Sequence, residues 1–294
     1  MFGFPPPAFL LSCLLAVLPL PASAVFVPDG VPAGDALART THLGVGAHAD
    51  DLEIMAIHGI LACFQEPERW FTGVIATDGV GSPGRGGAVA PEELRAIRRR
   101  EQERAAVLGE YGAVVFLDHT SGFVKDPSER TVVEELTALL RVTRPSVVYT
   151  HALSDLHDTH VAVTLRVLDA CRRLAPEERP ERILGCEVWR DLDWLTSSDK
   201  VELPADERPE LQAALLAAFE SQVKEKRYDR AALGRRAANA AFTDIRHADR
   251  HEGVVWAMDL TPLLAEVAQP AELVQSFLRR LEADILGRIK KLSG

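Results

Sequence analysis

The sequence contains no C-x-x-C pair. Its four cysteines, Cys13, Cys63, Cys171 and Cys186, are spaced too widely for a thiolate zinc site or a dithiol redox motif. Cys63, Cys171 and Cys186 lie in apolar stretches and are expected as small buried hydrophobes. An excess of basic residues is also missing. Lys and Arg number 33 against 43 Asp and Glu, a formal net charge of −10, which argues against the basic face that a nucleic-acid partner needs. There is no internal repeat and no long low-complexity tract. After residue 24 no segment is long and apolar enough to span a bilayer. What is present is an ordinary globular balance: 47% hydrophobic and 26% charged residues in a chain of 294. A chain of that length can bury a sizeable core without disulfide staples.

Residues 1–24 stand apart. The run 8–20 is nearly all apolar, and Ala22-Ser23-Ala24 is a small-x-small cleavage pattern, so the segment resembles a secretory signal peptide. No Lys or Arg precedes the run, and Pro5, Pro6 and Pro7 are unusual at that place. The alternative is an unstructured extension, with the working protein beginning near Val25. Export follows from the first reading and a cytoplasmic location from the second. Residues 25–294 are expected to form a single α/β domain ending in helices.

Beyond a Pro- and Gly-containing entry, short apolar runs alternate with longer amphipathic ones. Strands are expected over 43–47, 71–76, 113–117, 146–150 and 185–189, and helices over 51–64, 91–108, 128–142, 160–174, 209–224 and 271–292. Pro91 suits the first turn of its helix, and Gly109 is a stop signal. Alternating β and α elements imply a mostly parallel sheet with helices on both faces. Ligands bind such sheets beyond the carboxyl ends of the strands, where this sequence places Ala47-His48, Ala76-Thr77-Asp78 and Thr150-His151. The last helix carries an apolar stripe (Leu273, Val274, Phe277, Leu278, Leu281, Ile285, Ile289), expected to dock on the domain's own core, with a subunit contact in a homo-oligomer as the alternative.

Two polar clusters concentrate the chemistry. The first is Ala47-His48-Ala49-Asp50-Asp51-Leu52-Glu53, at the junction of the first strand and first helix. His48 and Asp51 are three apart and can share a face, which turns Asp50 elsewhere. Adjacent carboxylates repel unless a cation or a shared proton relieves them. The second is His157-Asp158-Thr159-His160, after the fourth strand, again with two side chains three apart. Imidazole plus carboxylate suits a borderline metal such as zinc, whereas calcium and magnesium prefer all-oxygen shells. Each cluster alone has an ordinary reading, a hydrogen-bonded surface histidine or a pair of helix-capping aspartates. Their convergence at neighbouring strand ends gives them meaning.

The run A-H-A-D-D-x-E at 47–53 resembles the A-H-P-D-D-x-E signature of the PIG-L/LmbE-type zinc de-N-acetylases. Thr77-Asp78-Gly79, the helix Arg98-x-x-Glu101-x-x-x-Ala105-x-x-Leu108-Gly109 and His157-x-x-His160 resemble family segments in the same order, and Glu187-Val188-Trp189 and Ser221-Gln222 are weaker echoes. The resemblance implies a Rossmann-like three-layer α/β sandwich and one zinc ion held by His48, Asp51 and His160. It implies Asp50 as general base, His157 polarising the amide carbonyl, Arg98 near the substrate, and a small N-acetylated, amino-sugar-like substrate. Two positions depart from the pattern. The family's proline is Ala49, which loosens the loop, and the carboxylate often found before the last histidine is Thr159, which leaves two alternatives: Asp158 as its substitute, or an activity other than the usual deacetylation.

Several features are decoys or rivals. Gly79-Val80-Gly81-Ser82-Pro83-Gly84 matches G-x-G-x-x-G, but it follows the second strand and no helix opens until about Pro91, so it reads as a loop and a nicotinamide-dependent dehydrogenase is the weaker enzyme alternative. A non-catalytic metal- or carbohydrate-binding relic of the fold is the non-enzyme alternative. His151 and His119 read as loop hydrogen-bonders. Arg98-Arg99-Arg100, flanked by acids, reads as a solvated helix face, and Trp189 and Trp194 as core.

Overall fold

The structure is a computed structural model that describes residues 24–81, 89–265 and 268–294. The signal-peptide reading, Cys13 and the second half of the glycine-rich run fall outside the described residues. Five strands form the parallel heart of one sheet: β2 (His42–Gly46), β3 (Phe71–Thr77), β4 (Ala113–His119), β5 (Val147–His151) and β6 (Arg182–Cys186). β1 (Val25–Phe26) pairs antiparallel with β4 at one edge. At the other edge β8 (Val254–Asp259) runs antiparallel to β6 and pairs with β7 (Val201–Pro204). The order β1-β4-β3-β2-β5-β6-β8-β7 reverses direction between β2 and β5. That is the topological switch point, where the strand ends open a crevice for ligands.

The strands read as unbroken apolar runs because helices cover both faces. Along β4, Val115 and Leu117 face one core while Val114 and Phe116 face the other. The first core is capped by α1 (Ala33–Ala38), α6 (Thr131–Thr143) and α7 (Asp158–Arg172), with α5 (Ser121–Lys125) packed against α7. The second is capped by α2 (Asp51–Met55), α3 (Ile57–Cys63), α4 (Pro91–Leu108) and α8 (Pro209–Ala217). α9 (Glu220–Lys226) and α10 (Tyr228–Ala240) follow, and α11 (Pro270–Ser293) ends the chain. The expected α/β sandwich is therefore present. Cys63, Cys171 and Cys186 are buried, and burial pushes the Cys63 and Cys171 thiols up to about 12.

Three helix expectations need correction. The helix expected over 209–224 is two, α8 and α9, parted at Ala218 and Phe219. The helix expected over 51–64 is broken at Ala56, where φ is −104°. No proline or glycine marks the break. Arg236 of α10 reaches in and donates to the carbonyl oxygens of Glu53 and Ile54, which frees them from the helical ladder. The last helix docks only through its first half. Phe277 is buried and Leu273 packs against the core, but Leu278, Ile285, Leu286, Ile289 and Leu292 are exposed, the last by 77%. The apolar stripe outruns the core surface available to it. Among the described residues no helix is long and apolar enough to cross a membrane.

α2 carries the first motif, and its distance from the sheet is set by a glycine. A Cβ on Gly44 of β2 would lie 2.6 Å from Cζ of Phe71 and 2.9 Å from Cδ2 of Leu52. Gly44→Ala should therefore cost about 1–3 kcal/mol through overpacking. Thermal denaturation should show a midpoint several degrees lower.

His42, at the start of β2, contacts Thr41 Oγ1 at 2.9 Å and Cys63 Sγ at 3.4 Å. Burial, assisted by His58 and Arg69, lowers its pKa from 6.5 to about 4. The folded chain therefore holds the neutral ring while the unfolded chain takes up a proton below pH 6.5. Stability from this group is complete above that pH and is lost as pH falls toward 4. Urea midpoints followed across this window should fall less steeply in His42→Asn than in the parent.

Candidate active site

The strand ends at the switch point bring the two motifs together. Ala47 and His48 leave β2, α2 begins at Asp51, His151 ends β5, and His157 caps α7 with His160 in its first turn. His48 Nδ1 and His160 Nε2 are 3.2 Å apart. Asp51 closes a triangle, with Oδ2 3.4 Å from His48 Nδ1 and Oδ1 3.4 Å from His160 Nε2. A tetrahedral ion with bonds of about 2.0–2.1 Å separates its ligand atoms by roughly 3.3–3.4 Å. The donor types suit one zinc-like ion, and the His48–His160 separation matches that edge, with one of the two Asp51 oxygens completing the set.

Two other trios, His48–His157–His160 and Asp51–His151–His160, also lie close enough to be considered. Hydrogen bonds decide against them. His151 Nε2 accepts the Ala47 N–H at 3.0 Å, so its free lone pair is already used. His157 Nδ1 accepts the Thr159 N–H at 3.2 Å, which places the proton of the neutral ring on Nε2 and makes that atom a donor rather than a ligand. His160 differs. Its Nδ1 faces the buried Asp155 carboxylate at 3.5 Å, and its Nε2 faces His48 and Asp51. A carboxylate on that side of the ring is where a ligating imidazole takes its support.

Burial dominates the electrostatics. It lowers His160 to about 4 despite the opposing Asp51 charge, and it lowers His157, assisted by His48. Burial alone would raise Asp51, but His160, His151 and His48 hold its carboxyl well below the usual range. Asp50 moves the other way. Burial, then the charges of Asp51 and Glu53, push its carboxyl well up, with Arg98 opposing. Neighbouring carboxylates thus have opposite tendencies, one fixed as an anion and one ready to take a proton.

Asp50 sits in the left-handed region, at φ 87° and ψ −24°, between the motif histidine and the helix start. Glu53 is buried behind it, accepting from Tyr111 Oη at 2.7 Å and Gln102 Nε2 at 2.8 Å, and burial raises its pKa to about 7. Arg98 is buried, donates to the Gly79 carbonyl and borders the cavity beside Asp50.

A cavity of about 300 Å³ opens beside the triangle, walled by Ile54, Val188, Ala232 and Val255 and bordered by His157, Arg98 and Gln222. At its mouth Trp189 is 43% exposed and makes an edge contact with Tyr228, ring centroids 5.7 Å apart. Trp189 is thus a wall of the cavity and not core as expected, whereas Trp194 does pack against the core. His119 instead pairs with Glu135 at 2.6 Å. Asp158 is exposed and does not replace the missing acid. The Thr159 backbone amide supplies the contact to His157.

All six residues expected at the site meet there. Sequence reasoning underrated His151 and missed Asp155, Gln102 and Tyr228. Asp155, two residues before His157, was visible as an acid at the right place. Tyr228 carried no signal.

The α/β sheet thus brings two imidazoles and a carboxylate that could hold a metal ion to its switch point, with a second carboxylate, Asp50, beside them. Residues 43–171 match the PIG-L family, described as GlcNAc-PI de-N-acetylase, so the resemblance read in the motifs is shown over that segment. No curated protein matches the chain. Among solved structures the chain is similar to N,N'-diacetylchitobiose deacetylase from Pyrococcus horikoshii, at 17% identity, covering 90% of this chain and 95% of that one, TM-score 0.58. It is also similar to GalB, the 4-carboxy-2-hydroxymuconate hydratase of Pseudomonas putida, at 18% identity, covering 75% and 95%, TM-score 0.57. A conserved protein of Thermus thermophilus matches at 21% identity, covering 72% and 92%, TM-score 0.54. At these identities the likeness is one of fold.

Proposed function

We propose that the protein is a zinc-dependent amide hydrolase that removes an N-acetyl group from an amino-sugar-like small molecule. The observation that carries this reading is the ligand triangle at 3.2–3.4 Å with Asp50 left outside it. Imidazole, imidazole and carboxylate are a known catalytic zinc set with room for water. When bound, the ion supplies Lewis acidity, lowering the pKa of water toward about 7 and polarising a carbonyl. Asp50, its carboxyl raised by burial, accepts the proton of the attacking water and returns it to the leaving amine. His157, neutral and protonated on Nε2, donates to the amide oxygen as charge develops there. The Trp189–Tyr228 corner offers an amphipathic aromatic surface on which the apolar face of a sugar ring can rest.

The test is acetate release from a panel of N-acetylglucosamine derivatives by zinc-loaded protein, with and without chelator. Acetate and free amine in equal amounts, lost with chelator and restored by zinc, are expected. Release that ignores the chelator, or water addition to an enol acid without amide cleavage, would overturn the reading.

A further inference from the structure

We propose that Gln102 and Gln222 clamp the two ends of the peptide unit joining Ala49 to Asp50, and that this clamp sets the aim of the Asp50 carboxylate. The inference rests on the reading of Asp50 as the base. The Ala49 carbonyl accepts from Gln222 Nε2 at 2.6 Å. The Asp50 N–H, on the opposite edge of the same peptide plane, donates to Gln102 Oε1 at 3.4 Å. Tilting that plane changes φ of Asp50, which at +87° lies where side-chain-bearing residues are held only by their surroundings. Two side-chain amides from different helices oppose such a tilt from opposite sides.

The clamp is itself anchored. Gln102 is fully buried in α4 and its Nε2 donates to Glu53 Oε1 at 2.8 Å, so its oxygen must face Asp50. Tyr111 fixes the same Glu53 oxygen at 2.7 Å. On the other side Ser221, next to Gln222, donates to Glu101, next to Gln102, through its backbone N–H at 2.7 Å and its hydroxyl at 2.6 Å. Consecutive residues of α4 and consecutive residues of α9 thus form one frame around the 49–50 peptide. This gives a physical role to Glu53, Glu101, Ser221 and Gln222, all of which stand outside the ligand triangle.

Position 49 explains the need for a frame. The signature this run resembles has proline there, whose ring fixes φ. Ala49 lacks that restraint, and the frame stiffens the loop at the adjoining torsions, ψ of Ala49 and φ of Asp50, from outside it. Gln222 lies beyond residues 43–171, so the aim of the base depends on a segment outside the family match.

The test uses full-length, zinc-loaded Gln222→Met, alone and combined with Ala49→Pro, with Gln102→Met as a second variant. Three quantities are read: kcat and KM for acetate release, bound zinc, and amide exchange in the 47–53 peptide by mass spectrometry. For Gln222→Met, kcat should fall roughly 10- to 100-fold, as misplacement of a catalytic group does. KM and zinc content should hold, and exchange should quicken. Ala49→Pro, which stiffens the adjoining torsion, should restore part of kcat and part of the slow exchange. Parental exchange in both single variants would overturn the clamp, whatever substrate the enzyme prefers. Faster exchange with unchanged kcat would overturn its role in aiming the base. A rise in KM alone, not rescued by Ala49→Pro, would make Gln222 a substrate contact instead. Exchange is measured without substrate, so failure of the deacetylase reading would still leave the clamp decided.

Discussion

An Asp50→Asn protein is expected to fold, keep its metal and turn over about 10²–10⁴-fold more slowly than the parent. Asparagine matches the shape of aspartate and removes only its charge and basicity. The ligand triangle of His48, Asp51 and His160 does not include Asp50, so metal content should remain at the parental level. The Asp50 N–H bond to Gln102 is a backbone bond and survives the substitution. Stability should hold or rise, because Asp50 lies buried against the negative charges of Asp51 and Glu53, and the neutral amide relieves that repulsion. A merely structural aspartate would show the reverse, lower stability with little change in kcat. Single-turnover acetate release, metal analysis and a thermal melt on one preparation distinguish the two outcomes. Full activity in Asp50→Asn would remove Asp50 from the chemistry altogether.

The parts of this molecule that follow local rules were legible in the sequence. Helix α4 runs from Pro91 to Leu108 as its proline and following glycine indicate. The strands of the parallel heart were found because runs such as Val114–Leu117 are apolar on both faces, although β6 lies a few residues earlier than expected. The site was legible because each motif sets two polar side chains three apart, His48 with Asp51 and His157 with His160, and each motif follows a strand. Features made by distant side chains were not legible. The break at Ala56 is caused by Arg236, some 180 residues away in sequence. α10 itself, rich in alanine and arginine, has weak apolar periodicity and is positioned by Arg236 and Asn239. His151 looked like one more histidine at a strand end. Only the bond from Ala47 and the 3.8 Å stack on His160 reveal that it packs beneath the site. β8 was missed although Val254-Val255-Trp256 follows a glycine, because a run that short does not separate strand from buried helix.

His160→Ala should abolish both metal binding and turnover, while His151→Ala should retain the metal. The first claim follows from the triangle, which loses one of two imidazoles and with it the tetrahedral set. For the parent, zinc at about 100 times its dissociation constant stabilises the fold by about 2.7 kcal/mol through mass action. In a chain of this size that corresponds to a rise of several degrees in the melting midpoint. The rise should vanish in His160→Ala. The metal-free variant should still fold, because Asp155, which loses its imidazole partner, keeps the His157 N–H at 2.8 Å and the Trp189 N–H at 3.0 Å. It is not left as an uncompensated buried charge. The second claim follows from direction. His151 Nε2 spends its lone pair on the Ala47 N–H, and its ring supports His160 by stacking, so its removal loosens the site without deleting a ligand. Loss of a residue that supports a ligand from behind weakens metal affinity by about 10–100-fold. Zinc titrations followed by the melting midpoint therefore separate the two histidines: no response in one case, a displaced but saturable response in the other. If His151→Ala loses metal as completely as His160→Ala, the ion sits among Asp51, His151 and His160, and His48 is left to face the substrate.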